Sequence, residues 1–260
     1  TLARPEMKGV KEGEYYIGVD VARSAKTSNN ASAIVVVRVR RDAKERVREL
    51  QAVNVVKLPN GLNFKQQTVI CKQMCALYNA KAIVIDINGL GKGLLDYMLD
   101  RNILDDGTEL EPYDMLNTDY RSDYRDAKKL VYGIEAQKNN SEMITNFINV
   151  VEGSILRILE HFDVNKALDI PDEDFMVSDV LPFLRTENFI SEVQNITVET
   201  IPGTGKLKIG QVVRADKDIY SATIQVCWYV MTFCNDALPD EDEDFASFFS
   251  GFISQPKIKR

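Results

Sequence analysis

The stretch Tyr15-Tyr16-Ile17-Gly18-Val19-Asp20 has the pattern of an apolar strand that ends on a carboxylate. A second stretch with the same pattern, Ala82-Ile83-Val84-Ile85-Asp86, follows later in the chain. Carboxylate oxygens are the ligands that hard divalent cations prefer. Two acids placed alike at strand ends therefore predict a divalent-metal site and phosphoryl-transfer chemistry.

The segments on either side of Asp20 predict how the two acids meet. Residues 15–21, 31–40 and 49–58 are rich in Val and Ile and are separated by polar stretches, which predicts three strands in an antiparallel meander. An apolar stripe from Phe64 to Tyr78 predicts a helix that leads into strand 82–87. Because a strand reached through a helical crossover usually lies parallel to its neighbours, the ends carrying both acids should face the same edge.

The rest of the chain predicts an α/β protein of about one large domain. The further predicted elements, in chain order, are a short helix at 94–100, a helix at 141–152, a short strand at 154–159, a helix at 183–195, a β-hairpin made of 196–201 and 207–213, and a last helix at 217–236. Residues 1–14 are interpreted as a linker, 15–236 as the domain, and 237–260 as an acidic and aromatic tail.

Asp218 is the third acid of the predicted site. It precedes Ala222 by four residues and Val226 by eight, so it shares the stripe of the last helix that faces the core. A charge on a buried stripe is costly unless it is paired or bound to a metal. Alternatively, Asp218 or Asp216 only complements the positive end of the helix, and the strand-end acids only accept hydrogen bonds from the following turns.

Composition narrows the chemistry. The chain has 260 residues, 45% of them apolar, and no apolar run approaches the roughly 20 residues needed to cross a bilayer. The N-terminus also lacks a signal-peptide pattern, so the sequence predicts a soluble intracellular protein. The four cysteines form no CxxC pair and are expected to be buried thiols. His161 is the only histidine, so histidine-based triads and zinc sites have too few residues.

Charge and loop motifs bear on nucleic-acid binding. The formal charge of −7 argues against a free-standing nucleic-acid binder, although the acidic run 240–244 contributes part of it. Arg23 and Lys26 follow Asp20 closely, and Lys217 adjoins Asp218, so these three could contact a phosphate held at the metals. The glycine-rich segment 88–93 after Asp86 lacks the P-loop pattern, and no such pattern occurs elsewhere.

In their order and spacing, several motifs together resemble the nuclease domain of the large terminase subunit of tailed bacteriophages, in the ribonuclease H-like superfamily. They are Ile17-Gly18-Val19-Asp20-Val21-Ala22, Ile85-Asp86-Ile87-Asn88-Gly89-Leu90-Gly91-Lys92-Gly93 with Asp96 beyond, Asn140-Ser141-Glu142-Met143-Ile144, Ser154-Ile155-Leu156-Arg157-Ile158 and Lys217-Asp218-Ile219-Tyr220-Ser221-Ala222. The resemblance implies a mixed central sheet, an antiparallel meander plus parallel strands, flanked by helices with an added β-hairpin.

The resemblance also implies a function. The implied protein is an endonuclease that uses two Mg²⁺ or Mn²⁺ ions. It cuts double-stranded viral DNA during genome packaging in the cytoplasm of the infected bacterial host. Asp20, Asp86 and Asp218 would be the metal ligands, and Lys92 and Lys206 would join Arg23, Lys26 and Lys217 as DNA contacts. The implied partners are the packaging ATPase domain, the portal and the small terminase subunit. The ATPase domain is missing from this chain, which suggests that the chain is an excised domain.

Three rival functions stay open from the sequence. A junction resolvase or transposase core would use the same acids on branched or end-specific DNA. An actin-like sugar kinase or ATPase also begins with a strand ending in Gly-x-Asp, but it needs a second lobe for which the chain is too short. A non-catalytic packaging scaffold would keep the fold without binding metal.

Overall fold

The computed structural model describes residues 3–22, 31–118, 120–160 and 177–235, with only the backbone described for 177–179. Its strands are β1 (Glu14–Asp20), β2 (Ala33–Arg41), β3 (Val47–Lys57), β4 (Ala82–Asp86), β5 (Asn102–Ile103), β6 (Glu109–Leu110), β7 (Tyr113–Met115), β8 (Lys128–Ile134), β9 (Leu156–Arg157), β10 (Ile196–Thr200) and β11 (Leu207–Gln211). Its helices are α1 (Phe64–Leu77), α2 (Gly91–Met98), α3 (Ala136–Glu152), α4 (Val177–Gln194) and α5 (Asp218–Phe233).

A seven-stranded sheet in the order β7-β8-β4-β1-β2-β3-β9 forms the centre of the fold. Strands β1, β2 and β3 pair antiparallel, whereas β4 pairs parallel to β1, β8 pairs parallel to β4, and β9 pairs parallel to β3. This arrangement confirms the predicted mixed sheet of an antiparallel meander plus parallel strands.

Helices cover both faces of the sheet, because the central strands are apolar on both sides. Tyr15, Ile17 and Val19 of β1 pack on one face against α1 and α2. On the other face, Tyr16 packs with residues of α3, α4 and α5. Successive strand residues point to opposite faces, so Gly18 and Asp20 point to the same face as Tyr16.

The added hairpin is confirmed as the separate sheet of β10 and β11. It lies against α3, where the Leu207 backbone N–H donates to the Ser141 hydroxyl at 2.9 Å. Its turn, residues 201–206, is exposed to solvent.

The main difference from the sequence prediction is β8, a central strand that the sequence did not predict. Its apolar core is only Leu130 to Ile134, interrupted by Gly133 and preceded by two lysines, in a region otherwise rich in Asp and Gly. Parallel pairing to both β4 and β7 supplies the hydrogen bonds that make this short segment a strand. The following helix begins at Ala136, five residues before the predicted start at 141.

The ends of the domain can be described only in part. Ala3 forms a bridge with Leu159, and Glu6 pairs with Arg38, so residues of the predicted linker contact the sheet domain. The predicted tail at 237–260, together with Arg23, Lys26 and His161, lies outside the described residues. Three of the four cysteines are buried, as expected, and Cys234 is half-buried. Within the described residues, no helix is both long and apolar enough to cross a membrane.

Candidate functional site

Asp20 and Asp86 end neighbouring parallel strands in matching register. Val19 of β1 lies opposite Ile85 of β4, and the two aspartates follow directly. Neighbouring strands lie about 4.8 Å apart, so the backbone places the two acids side by side at one edge. Both project to the face covered by α5, because they alternate with residues packed on that face.

Gly18 brings the last helix to this edge. A Cβ atom at Gly18 would lie 2.1 Å from the Ala222 carbonyl oxygen, so only glycine permits this approach of α5 to β1. Asp20 lies two residues beyond Gly18, about 6.6 Å along the strand. Asp218 lies four residues before Ala222, about 6 Å along the helix. Strand β1 and helix α5 run antiparallel, since Tyr16 near the start of β1 contacts Tyr229 near the end of α5. Because the distances from Gly18 to Asp20 and from Ala222 to Asp218 are similar, Asp218 lies toward Asp20.

The charges of Asp218 and Asp86 both act on Asp20. Burial, followed by the negative charges of Asp218 and Asp86, raises the pKa of Asp20 to about 7. A hydrogen bond from the Ser221 hydroxyl and the positive charge of Lys217 oppose that rise in pKa. The negative charge around Asp20 is therefore not fully compensated by Ser221 and Lys217.

Asp86 is fixed by the backbone around it. Its Oδ1 accepts hydrogen bonds from the backbone N–H groups of Asn88 at 3.0 Å and Ala136 at 3.2 Å. Burial raises its pKa, these two bonds oppose the rise, and the charge of Glu135 adds to it. At Gly91 a Cβ would lie 1.6 Å from the Asp86 carbonyl oxygen, so the glycine-rich turn lets α2 start directly against this strand end.

Lys57 is a site residue that the sequence reasoning missed. Register pairs Asp20 with Ala33 and Ala33 with Lys57, which places Lys57 on the same row and face as the acids. Its Nζ lies 2.7 Å from Asp216 Oδ2 and 3.6 Å from Asp218 Oδ2. A signal was present in the sequence, because the third strand of a meander runs parallel to the first and its end reaches the same edge.

Glu192 of α4 is the second missed residue. It is 7% exposed, and its Oε2 accepts a hydrogen bond from the Tyr220 backbone N–H at 2.8 Å. The pKa of Glu192 is raised to about 7, mainly by burial and also by the charges of Asp218 and Asp216, although the Tyr220 hydrogen bond and the charge of Lys57 oppose the rise. Its position in a helix, without a strand end to mark it, left no distinctive sequence pattern.

The predicted basic residues divide by location. Lys217 adjoins the site, as its effect on Asp20 shows. Lys92 is exposed on the first turn of α2, and Lys206 is exposed in the hairpin turn. Arg23 and Lys26 lie outside the described residues.

The donor set suits a divalent cation in its chemistry. Burial raises the pKa of Asp218 as it does for Asp20 and Asp86, and the charge of Lys57 opposes this rise at Asp218. A cation would offset the mutual repulsion of these groups. In the part of the chain that the structure describes, no group of three or more Asp, Glu, His or Cys side chains is close enough to hold one metal ion.

Comparison with solved structures identifies the fold. Two crystal structures of the large terminase nuclease from thermophilic phage G20c, one with bound magnesium and one with bound cobalt, are each 12% identical to this chain. Each match covers 87% of this chain and 90% of the other, with TM-scores of 0.52 and 0.51 respectively. No protein-family model and no curated protein sequence matches. The chain therefore has a ribonuclease H-like fold. More particularly, its fold is that of the large terminase nucleases, as the sequence resemblance predicted.

Proposed function

We propose that the protein is a metal-dependent endonuclease that cleaves double-stranded viral DNA during genome packaging. The observation that carries the proposal is that Asp20 and Asp86 follow paired residues at the ends of neighbouring strands, and that burial together with the charges of Asp218 and Asp86 raises the pKa of Asp20 to about 7. Support also comes from the similar fold of a terminase nuclease solved with bound magnesium.

In this proposal the three aspartates hold two Mg²⁺ or Mn²⁺ ions. Asp20 would help to hold both ions, and Asp86 and Asp218 would each help to hold one of them. When bound, the ions supply an activated water and stabilise the leaving 3′ oxygen of the scissile phosphodiester.

The protein's own groups prepare the site for this chemistry. The backbone N–H groups of Asn88 and Ala136 hold one oxygen of Asp86 in place. The Ser221 hydroxyl donates a hydrogen bond to Asp20 and orients it. A carboxylate must be ionised to bind a metal, so Asp20 releases its proton before or during binding.

DNA and protein partners follow from the same proposal. Lys217, whose positive charge acts on Asp20, is proposed as a phosphate contact, and Arg23, Lys26, Lys92 and Lys206 are proposed as further ones. A packaging ATPase domain would deliver the DNA, and the portal and the small terminase subunit would complete the assembly in the host cytoplasm.

A plasmid assay tests the proposal. The protein is incubated with supercoiled plasmid in Mg²⁺, Mn²⁺ or EDTA, alongside Asp86→Asn, Asp218→Asn and the matched control Asp105→Asn, which lies on an exposed turn. We expect nicked and linear DNA with either metal, none in EDTA, loss of cleavage in the two site variants, and full cleavage in the control. Unimpaired metal-dependent cleavage by Asp86→Asn would refute the assignment of that residue.

The same assay separates the rival functions. Preference for a four-way junction over linear duplex would identify a resolvase-like enzyme. Absence of both cleavage and a Mn²⁺-dependent rise in melting temperature would identify a non-catalytic scaffold.

A further inference from the structure

Lys57 binds two carboxylates of the candidate site at once. The ammonium of this lysine is 2.7 Å from Asp216 Oδ2 and 3.6 Å from Asp218 Oδ2. The side chain of Lys57 is 16% exposed and that of Asp218 is 11% exposed. Because water reaches these groups poorly, their charges interact more strongly than a surface pair would.

The position of Lys57 is set by its pairing in the central sheet. Lys57 is the last residue of β3 and lies opposite Ala33, which in turn lies opposite Asp20. The small, fully buried side chain of Ala33 separates the lysine from Asp20. Asp218 therefore contacts the ammonium of Lys57, while its own charge acts on Asp20.

We infer that Lys57 is an internal counter-ion that competes with the divalent cation for Asp218 and moves fully to Asp216 when the metal binds. The inference rests on the proposed function, because it takes Asp218 to be a metal ligand. Lys57 acts through Asp218 and Asp216, so it is a positioning residue and not a catalytic one.

The geometry explains why the exchange is possible. The contact of Lys57 with Asp216 is the shorter of the two and has hydrogen-bond length, whereas its contact with Asp218 is longer than a hydrogen bond. Losing Asp218 to a cation therefore leaves the lysine with a direct partner. Glu192 also lies within electrostatic range of the lysine and adds negative charge on the same side.

Two opposite effects are expected when the ammonium is removed. Without metal, Asp216, Asp218 and Glu192 would lose the ammonium that contacts Asp216 and Asp218, so they would repel one another more strongly and the protein should melt at a lower temperature. With metal, the cation would meet a more negative site and no competitor, so it should bind more tightly. A lysine that only supported local structure would weaken metal binding or leave it unchanged.

The experiment measures both quantities on the same variants. Mn²⁺ affinity is determined by calorimetry, and the melting temperature is determined in EDTA, for the wild type, Lys57→Met and Lys57→Arg. The control is Lys208→Met, which removes a lysine paired with Glu199 at 2.9 Å on the exposed hairpin. We expect Lys57→Met to lower the Kd for Mn²⁺ about tenfold, a change of about 1.4 kcal/mol, and to lower the melting temperature in EDTA. Lys57→Arg should stay near the wild type in both measurements, and Lys208→Met should keep the wild-type Kd.

A second variant guards against failure of Lys57→Met to fold. Lys57→Met combined with Asp216→Asn removes one charge of each sign, yet it still leaves Asp218 without the competing ammonium. We expect it also to bind Mn²⁺ more tightly than the wild type. An unchanged or raised Kd in folded Lys57→Met, or in the double variant if Lys57→Met does not fold, overturns the inference alone. If the wild type binds no Mn²⁺, the proposed function fails and the inference fails with it.

Discussion

The two ends of β1 carry carboxylates in opposite electrostatic environments. At the start of the strand, Glu14 accepts hydrogen bonds from Arg41 Nη2 at 2.7 Å and Nε at 2.9 Å, and from the Tyr16 hydroxyl at 2.8 Å. Although burial works to raise its pKa, the bonds from Arg41 and Tyr16 hold the pKa of Glu14 below its usual value. At the end of the strand, burial and the charges of Asp218 and Asp86 raise the pKa of Asp20 to about 7.

The contrast separates a structural acid from a candidate functional one. Glu14 has a cationic partner of matching geometry and stabilises the fold in its ionised form. Asp20 has two acidic neighbours, and ionising it in the folded protein costs free energy that Ser221 and Lys217 offset only in part and that a bound cation would offset further. A site that is destabilised until it binds its ligand is what metal-dependent chemistry requires, and each prediction below tests this difference.

The largest expected effect is on cleavage. Asp20→Asn should reduce metal-dependent plasmid cleavage at least about 10³-fold, because it removes the carboxylate proposed to be shared by both ions. Glu14→Gln, the matched change at the other end of the strand, should cleave within about twofold of the wild type. Initial rates of nicking at saturating Mg²⁺ measure both, and equal loss in the two variants would contradict the contrast.

A smaller but still large effect is expected from Gly18. Gly18→Ala adds a Cβ that would meet the Ala222 carbonyl oxygen at 2.1 Å, so α5 must move away from β1. We expect a loss of about 3 kcal/mol in the free energy of unfolding, together with loss of metal binding. Chemical denaturation measures the stability. Gly61→Ala, where nothing lies within 4 Å of the added atom, serves as the control and should lose only about 1 kcal/mol through its positive φ.

The dependence of stability on pH should also distinguish the two acids. In the folded protein Asp20 keeps its proton up to about pH 7, whereas its usual pKa is 3.8, so the folded state binds more protons across this window. The free energy of unfolding without metal should therefore fall as pH rises from about 5 to 7.

Asp20→Asn should remove about 2 kcal/mol of that fall, which denaturation in EDTA at several pH values measures. Glu192→Gln should remove a further part, because the pKa of Glu192 is also raised to about 7 by burial. Identical pH profiles for the wild type and Asp20→Asn would show that Asp20 is ionised normally.

The smallest effect is expected at the paired end. Glu14→Gln should lower the free energy of unfolding by about 1 kcal/mol, because Arg41 loses its ionic partner but keeps its hydrogen bonds to the backbone oxygens of Glu45 and Cys234. Thermal and chemical denaturation in EDTA measure the loss. A stabilisation on replacing Glu14 would remove the distinction between the two ends.

Much of the fold could be predicted from local patterns. The Val- and Ile-rich runs of β1, β2 and β3, the stripe of α1, and the hairpin of β10 and β11 each carry a period or a turn signal within a few residues. Strand β8 could not be predicted, because its apolar run from Leu130 to Ile134 is short, is interrupted by Gly133 and follows two lysines. Its strand conformation depends on the parallel partners β4 and β7.

The sequence alone determined which residue types are available for chemistry, because composition excludes histidine-based sites and apolar periodicity puts Asp20 and Asp86 at strand ends. Tertiary structure alone decided the electrostatic partners of these acids. Strand register brings Lys57 close to Asp218, and helix packing brings Glu192 close to it, although these residues are far apart in the chain. The pKa of a buried carboxylate depends on such spatial neighbours and not on the residues beside it in sequence.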